Sequence, residues 1–295
     1  MAVERRDGRI PQTTENNFGP FSEYKPYREE NRAQLAIVHN ALPNPFFQVD
    51  IAAGTGLVSQ ETANLCNISG KTGTIIGVDP DHYAISKARA DTPDTQYCRF
   101  IFLEGTVDEV TDKLMGIIPP EGVDVVSMHD AIHEIEGDEN KRRIFEFGFR
   151  ILKPGGKMSI NTAFHKRAMG SQTLKYGKWT LGAYRLAGER PVNSPLAVLS
   201  PEDYKKMIID AGFEIWYSKE EEVYLSREAL ESIAKYPTFT KGVFPHATPE
   251  TIPIYSKHLA ESLIKRDIAG LNRTWYRLVG EKPFASSVAS LAAVA

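Results

Sequence analysis

Residues 49–56 read Val-Asp-Ile-Ala-Ala-Gly-Thr-Gly, and no other stretch restricts the fold as sharply. The apolar run Phe46-Phe47-Gln48-Val49 leads into an acid, Asp50. A turn built on Ala52, Gly54 and Gly56 follows, and a helical pattern begins at Leu57. This is strand, tight small-residue turn, helix. Small residues let backbone N–H groups approach a ligand at the start of a helix. The acid at the strand end sets the sign of that ligand: a phosphate would be repelled there, a cation held.

The rest of the chain alternates in the same way. Strands are expected at 46–51, 74–79, 99–103, 123–128 and 157–161, with helices at 57–68, 81–90, 107–115 and 139–152 between them. The strands are nearly continuous apolar runs, the mark of a parallel sheet covered on both faces. Lys153-Pro154-Gly155-Gly156 ends the fourth of these helices. A helix precedes them at 28–42; a helix at 201–211, a strand at 213–216 and a period-two strand at 273–279 close the pattern. Two inserts, at about 164–199 and 226–271, follow strands and should rise over the ligand edge of the sheet. Residues 1–27 form an expected arm or lid, 28–283 the main domain, and 284–295 a tail.

At 295 residues, with 42% hydrophobic and 25% charged residues, the chain suits a globular α/β domain with insertions. Net charge is −3, which gives no basic excess to hold nucleic acid. Cys66 and Cys98 do not make a disulfide framework. No segment reaches the roughly 20 apolar residues of a membrane span, and the polar start, with Arg5, Arg6 and Arg9, lacks a signal-peptide core. The expected setting is cytoplasmic, with no nucleic-acid or membrane partner; a homodimer remains compatible.

Taken in order, Asp50-Ile-Ala-Ala-Gly-Thr-Gly56, Asp79 at the next strand end, Glu104-Gly105, Val123-Asp124-Val-Val, Leu152-Lys-Pro-Gly-Gly156 and the closing Trp275-Tyr-Arg-Leu-Val-Gly-Glu-Lys-Pro283 resemble the class I S-adenosylmethionine-dependent methyltransferases, most of all those acting on small molecules in quinone and natural-product biosynthesis. The resemblance covers about 46–283. It implies an α/β, Rossmann-like, seven-stranded and mostly parallel sheet of order 3-2-1-4-5-7-6 with the last strand antiparallel, helical cap insertions, and S-adenosylmethionine as cofactor. It places the cofactor against Asp50, Ala52, Gly54, Gly56, Asp79, Pro80, Gly105, Thr106, Val107 and His129. Asp50 suits the ammonium of that ligand and Asp79 its ribose diol. Gly105-Thr106-Val107 stands where the family often has Gly-Asp-Ala, so Thr106 either accepts from the adenine amine or only starts a helix.

Met128-His129-Asp130-Ala131-Ile132-His133-Glu134 follows the fourth strand, at the edge where transfer should occur. His133, with an ordinary pKa near ~6.5, is the candidate base; the alternative is a pocket-lining role. No metal site is expected. The aromatic entry Phe18 to Tyr27 reads as a lid placing Tyr24 or Tyr27 near the sulfonium, or as a staple for the following helix. The small-molecule acceptor would lie against His133, Phe164, His165, Met169, Trp179 and Tyr184, unless the aromatics are only the cap's core. Lys166, Arg167, Lys175, Lys178, Arg185 and Arg190 make the first insert basic, suggesting either a phosphorylated or carboxylated acceptor or a solvated face. A nicotinamide oxidoreductase is the competing enzyme class, since Gly54-Thr-Gly56-Leu-Val-Ser59 resembles G-x-G-x-x-G, but Asp50 and the missing third glycine oppose it. A binding module without transfer activity and a methyltransferase of RNA or protein are the remaining readings.

Overall fold

A computed structural model describes residues 10–192 and 198–284. Residues 1–9 of the expected arm, 193–197 of the first insert and 285–295 of the expected tail lie outside the described residues. The elements run α1 (Gly19–Ser22), α2 (Lys25–Ala41), β1 (Phe46–Ile51), α3 (Leu57–Ser69), β2 (Gly73–Asp79), α4 (His82–Asp91), β3 (Cys98–Glu104), α5 (Val107–Met115), β4 (Val123–His129), α6 (Asp138–Ile151), β5 (Leu152–Thr162), α7 (Thr173–Ala187), α8 (Pro201–Asp210), β6 (Glu214–Ser226), α9 (Arg227–Ile233), α10 (Pro237–Val243), α11 (Ile252–Lys265) and β7 (Gly270–Glu281).

The seven strands form one sheet in the order β3-β2-β1-β4-β5-β7-β6. β1 to β5 pair in parallel, and β7 runs antiparallel to both β5 and β6. β4 is buried at every position and β1 at all but Phe47, as a central strand packed on two faces should be. Val49, Ile76, Val126, Met128, Phe145 and Leu278 belong to the core that the sheet and its helices share.

Local chemistry explains the helix starts. Asp81 caps α4 by accepting from the Ala84 N–H at 2.9 Å. Thr106 and Glu109 cap α5 reciprocally, as Ser200 and Asp203 cap α8.

Three strand expectations need correction. β5 starts at Leu152, not Lys157, because Leu152 already pairs with Val123. Pairing resumes with Lys157 opposite Val125, so Lys153-Pro154-Gly155-Gly156 bulges out of the ladder. β6 extends to Ser226 instead of ending at Trp216. It is an edge strand, and its Lys219-Glu220-Glu221-Glu222 run carries no apolar alternation. β7 likewise reaches from Gly270 to Glu281.

A second core sits over the carboxyl edge of the sheet. Phe21 and Tyr27 from the arm pack with Trp179, Phe239, Phe244 and Leu259 from the inserts and with Trp275 of β7. α7 and α11 approach closely here: Trp179 Nε1 donates to Leu259 O at 2.9 Å and Ser262 Oγ to Trp179 O at 2.6 Å. Gly182 is required at this crossing, since a Cβ would collide with Ser262 Oγ. Among the described residues no helix is long and apolar enough to cross a membrane.

Candidate active site

The turn after β1 uses backbone conformations that small residues accept. Ala52 and Gly54 have φ of 57° and 54°, and Gly56 has 91°. A Cβ on Gly54 would meet nothing within 4 Å, because this residue faces an open cleft. The cleft is walled by Ala52, Gly54, Asp79 and Pro80 from the β1 and β2 ends, by His129 and Asp130 from β4, and by Tyr27, Phe18 and Tyr236 from the arm and cap. Asp79 is fixed there by two backbone donors: Gly54 N–H to Oδ2 and Asp81 N–H to Oδ1, both at 2.8 Å.

Asp50, on β1 just before this turn, is 1% exposed and is not among the residues that line the cleft. Its Oδ1 accepts from Ser127 Oγ at 2.8 Å, while Oδ2 is buried without a partner. Burial, aided by the charge of Asp79, pushes its carboxyl up to about 7. A buried carboxylate oxygen without a donor, a second carboxylate held on the wall and a turn bare of side chains fit a ligand carrying both a cation and a hydroxylated sugar.

His129 is on the wall but chemically occupied. Nδ1 contacts Asn31 Oδ1 at 2.9 Å and Nε2 contacts Ser159 Oγ at 3.1 Å. With Nδ1–H donating and Nε2 accepting, the ring is neutral, and burial holds it down at about 3. Asn161 also donates to Asn31 Oδ1, so the network fastens α2 to β4 and β5.

Several expected contacts are placed elsewhere. Gly56 is outside the cleft; a Cβ there would stand 3.0 Å from Thr92 Oγ1, so its smallness serves the packing of α3 on α4. Gly105 also stands outside the walls. Thr106 has its hydroxyl in the α5 cap, donating to Glu109 Oε2 at 3.0 Å, which is the helix-start alternative. Thr106 and Val107 line an adjoining groove that shares Ile10, Glu134 and Thr238 with the cleft. Tyr24 is not at the cleft: its hydroxyl donates to Tyr224 O at 3.1 Å and accepts from Ser226 N–H at 3.2 Å, pinning the arm to the end of β6. Tyr27 is buried and lines the cleft.

A second cavity, of about 330 Å³, abuts the first. The two share Phe18, Asp130, Glu134, Tyr236 and Thr238. His133, Phe164, His165 and Met169 line the second cavity, whereas Trp179 and Tyr184 do not. Those two are the cap's core, with Tyr184 hydrogen-bonded to Val243 O. His165 is tied to the backbone, with Nε2 3.1 Å from Thr274 O.

His133 stacks on Phe164 with centroids 4.1 Å apart and shares a 3.2 Å hydrogen bond with Thr162 Oγ1. Burial, then the charges of Arg273 and Lys141, hold its pKa well below the ordinary value. The surroundings therefore favour the neutral ring over the charged one, which weakens His133 as the candidate base. Asp130 was overlooked, although it stands between the two histidines. It has φ of 50°, sits on both cavities, donates its N–H to Asn161 Oδ1 at 2.9 Å and accepts from Ala163 N–H at 3.1 Å. Oδ2 is buried without a partner, and burial pushes the carboxyl up to about 7. Arg273 was also missed; the signal was a basic residue in a strand otherwise fit for the sheet interior. Of the basic insert residues, Lys166 lines the cavity and lies 3.9 Å from Asp203, and Arg167 pairs with Glu202 and Glu220 at 3.0 and 2.7 Å. Among the described residues, no group of three or more His, Cys, Asp or Glu side chains is placed to hold a metal ion.

Comparison with known proteins agrees with this architecture. Residues 49–158 match the family described as "Methyltransferase domain". No curated protein sequence matches the chain. Among solved structures, a SAM-dependent methyltransferase from Methanosarcina mazei is 16% identical, with 84% of this chain and 97% of that one covered and a TM-score of 0.52. The cyclopropane synthase of Mycobacterium tuberculosis is 15% identical, with coverages of 84% and 83% and a TM-score of 0.52. A phosphoethanolamine N-methyltransferase from Haemonchus contortus, in complex with phosphomonomethylethanolamine and S-adenosylhomocysteine, is 18% identical, with coverages of 87% and 53% and a TM-score of 0.51. At these identities the structural likeness speaks to fold alone, and the domain match is confined to residues 49–158. Residues 49–158 thus match a methyltransferase domain, set within a sheet that has the strand order of the class I methyltransferase fold. S-adenosylmethionine is the cofactor of that class.

Proposed function

We propose that this protein transfers a methyl group from S-adenosylmethionine to a small, mostly apolar or aromatic organic acceptor, of the kind met in quinone or natural-product biosynthesis. The observation that carries the reading is the shared wall. A polar cleft at the glycine turn and an aromatic cavity meet across Asp130, Phe18 and Tyr236.

The donor supplies an electrophilic methyl group on a sulfonium. Asp50 would draw its ammonium, Asp79 would accept from its ribose hydroxyls, and the backbone at Ala52 and Gly54 would let it lie close. Phe164, Tyr176 and Phe239 offer the acceptor an aromatic wall. Phe18 and Tyr236 close over both cavities and exclude water, so that alignment of the reacting atoms supplies most of the acceleration. Asp130, at the junction with an unpartnered oxygen and a carboxyl near 7, is the better-placed proton acceptor for a hydroxyl or amine acceptor.

Calorimetric titration with S-adenosylhomocysteine and, separately, with NADH tests the donor assignment. Binding of the first is expected. Heat with NADH alone would reject the reading in favour of an oxidoreductase.

A further inference from the structure

Arg273 stands where a charge is costly. It lies on β7, 7% exposed, among Phe164, Met169, Tyr176 and Phe239 in the acceptor cavity. Its guanidinium carbon is 3.8 Å from the centroid of the Phe164 ring. Nε is buried without a partner, and among the described residues the guanidinium makes no hydrogen bond or ion pair. Arginine does not escape this cost by losing its proton.

Arg277, four residues along the same strand and equally buried, shows the ordinary solution. Its Nε and Nη2 meet the two oxygens of Glu30 at 2.5 and 2.6 Å. Among the described residues no such carboxylate meets Arg273. Of the acids on the cavity wall, Glu134 is hydrogen-bonded by the Tyr236 hydroxyl at 2.9 Å. Asp130 acts on Arg273 only through space, and burial pushes its carboxyl up to about 7. Among the described residues, then, no carboxylate is paired directly with this cation.

We propose that Arg273 recognises a carboxylate on the acceptor, so that the substrate is an aromatic or otherwise apolar monocarboxylic acid. This rests on the cavity being the acceptor site. A guanidinium presents paired N–H donors that match the two oxygens of a carboxylate. One unpaired cation in a largely apolar wall matches one negative charge. A phosphate dianion would need a second cation, and Lys166, the other basic residue on the wall, lies 3.9 Å from Asp203. With the carboxylate at Arg273 and the apolar body against Phe164, Tyr176 and Phe239, the site selects acids over their neutral analogues.

The test is calorimetric titration of the full chain, saturated with S-adenosylhomocysteine, with benzoate, cinnamate and 2-naphthoate, each against its primary amide and against phenyl phosphate. At least one acid is expected to bind ten-fold or more tightly than its amide. Arg273→Met should abolish that preference, and Arg273→Lys should restore part of it, with S-adenosylhomocysteine affinity unchanged in both. Equal binding of acids and amides, tighter binding of phenyl phosphate, or an undiminished preference in Arg273→Met would each overturn the proposal. The acid–amide comparison on the unaltered protein stands even if a variant fails to fold. Failure of S-adenosylhomocysteine itself to bind would instead strike the donor assignment, which is a distinguishable result.

Discussion

Asp50→Asn separates a buried acid that waits for a cation from one that merely fills the sheet. The side chain is 1% exposed, with one oxygen on Ser127 and the other bare. Its carboxyl lies at about 7 in the fold against an ordinary 3.8. The folded state thus binds the proton more tightly than the unfolded state. The contribution of this one group to stability is greatest below pH ~4 and is lost as pH rises to ~7, after which the loss is constant. At 1.36 kcal/mol per pH unit, the charge destabilises the empty protein by about 1 kcal/mol at pH 4.5 and about 4 kcal/mol at pH 8. An asparagine removes this term but leaves its own unpartnered amide, a cost of about 1–3 kcal/mol that does not vary with pH. The diagnostic is therefore the change in the variant–parent gap between the two pH values, about 3 kcal/mol in favour of asparagine. For a chain of this size that is a relative gain of about 6 °C in Tm. Thermal melts at both pH values, without ligand, read it directly. Calorimetry at pH 8 should show S-adenosylhomocysteine binding at least ten-fold more weakly to Asp50→Asn, because the charge that destabilises the empty site is the one that holds the ammonium. A gap that stays the same at pH 4.5 and pH 8, or an unaltered affinity, would refute the argument.

Other outcomes follow from the same geometry. Asp79→Ala should lower S-adenosylhomocysteine affinity at least ten-fold by calorimetry, since it removes a wall carboxylate and the acceptor that fixes the Gly54 and Asp81 N–H groups; unchanged affinity would rule out a ribose contact. With the true acceptor, the pH–rate profile should rise through a group near 7 that disappears in Asp130→Asn and persists in His133→Gln; loss of the limb in His133→Gln alone would show that His133 titrates after all. Trp179→Ala should cost about 3–5 kcal/mol in denaturant unfolding, as a buried aromatic truncation in the cap; a cost below 1 kcal/mol would mean that α7 and α11 are held by other contacts. Tyr24→Phe should loosen the arm by about 1 kcal/mol without altering S-adenosylhomocysteine affinity.

The parallel half of the sheet was readable because β1, β2 and β4 are apolar runs closed by acids or small-residue turns, and such runs have few alternative placements. The strand order came from resemblance, which the pairing bears out. β6 was shortened because an edge strand needs apolar residues on one face only, and its charged run hides the alternation. The positions of Asp50, Asp79 and His129 at strand ends are legible in the sequence, but their surroundings are not. His133 illustrates the difference: its ring chemistry is set by burial under Phe164 and by Arg273, which is distant in sequence. Thr106 has the same side chain whether it caps a helix or touches adenine, and only the Glu109 contact separates these. Arg273 was lost for a related reason. A basic residue in a closing strand reads as surface until the cap that buries it is in place.

The place of β7 between β5 and β6 sets a timetable for synthesis. β7 is translated last of the seven strands, yet β5 and β6 each need it as a hydrogen-bonding neighbour. Glu30 of α2, translated before any of the seven strands, waits for Arg277 to arrive. In that interval the β5 edge is open to any extended strand nearby, and β6 is a long ribbon with nothing to pair with. Its consecutive charges from Lys219 to Glu222 would repel a second nascent ribbon during the wait.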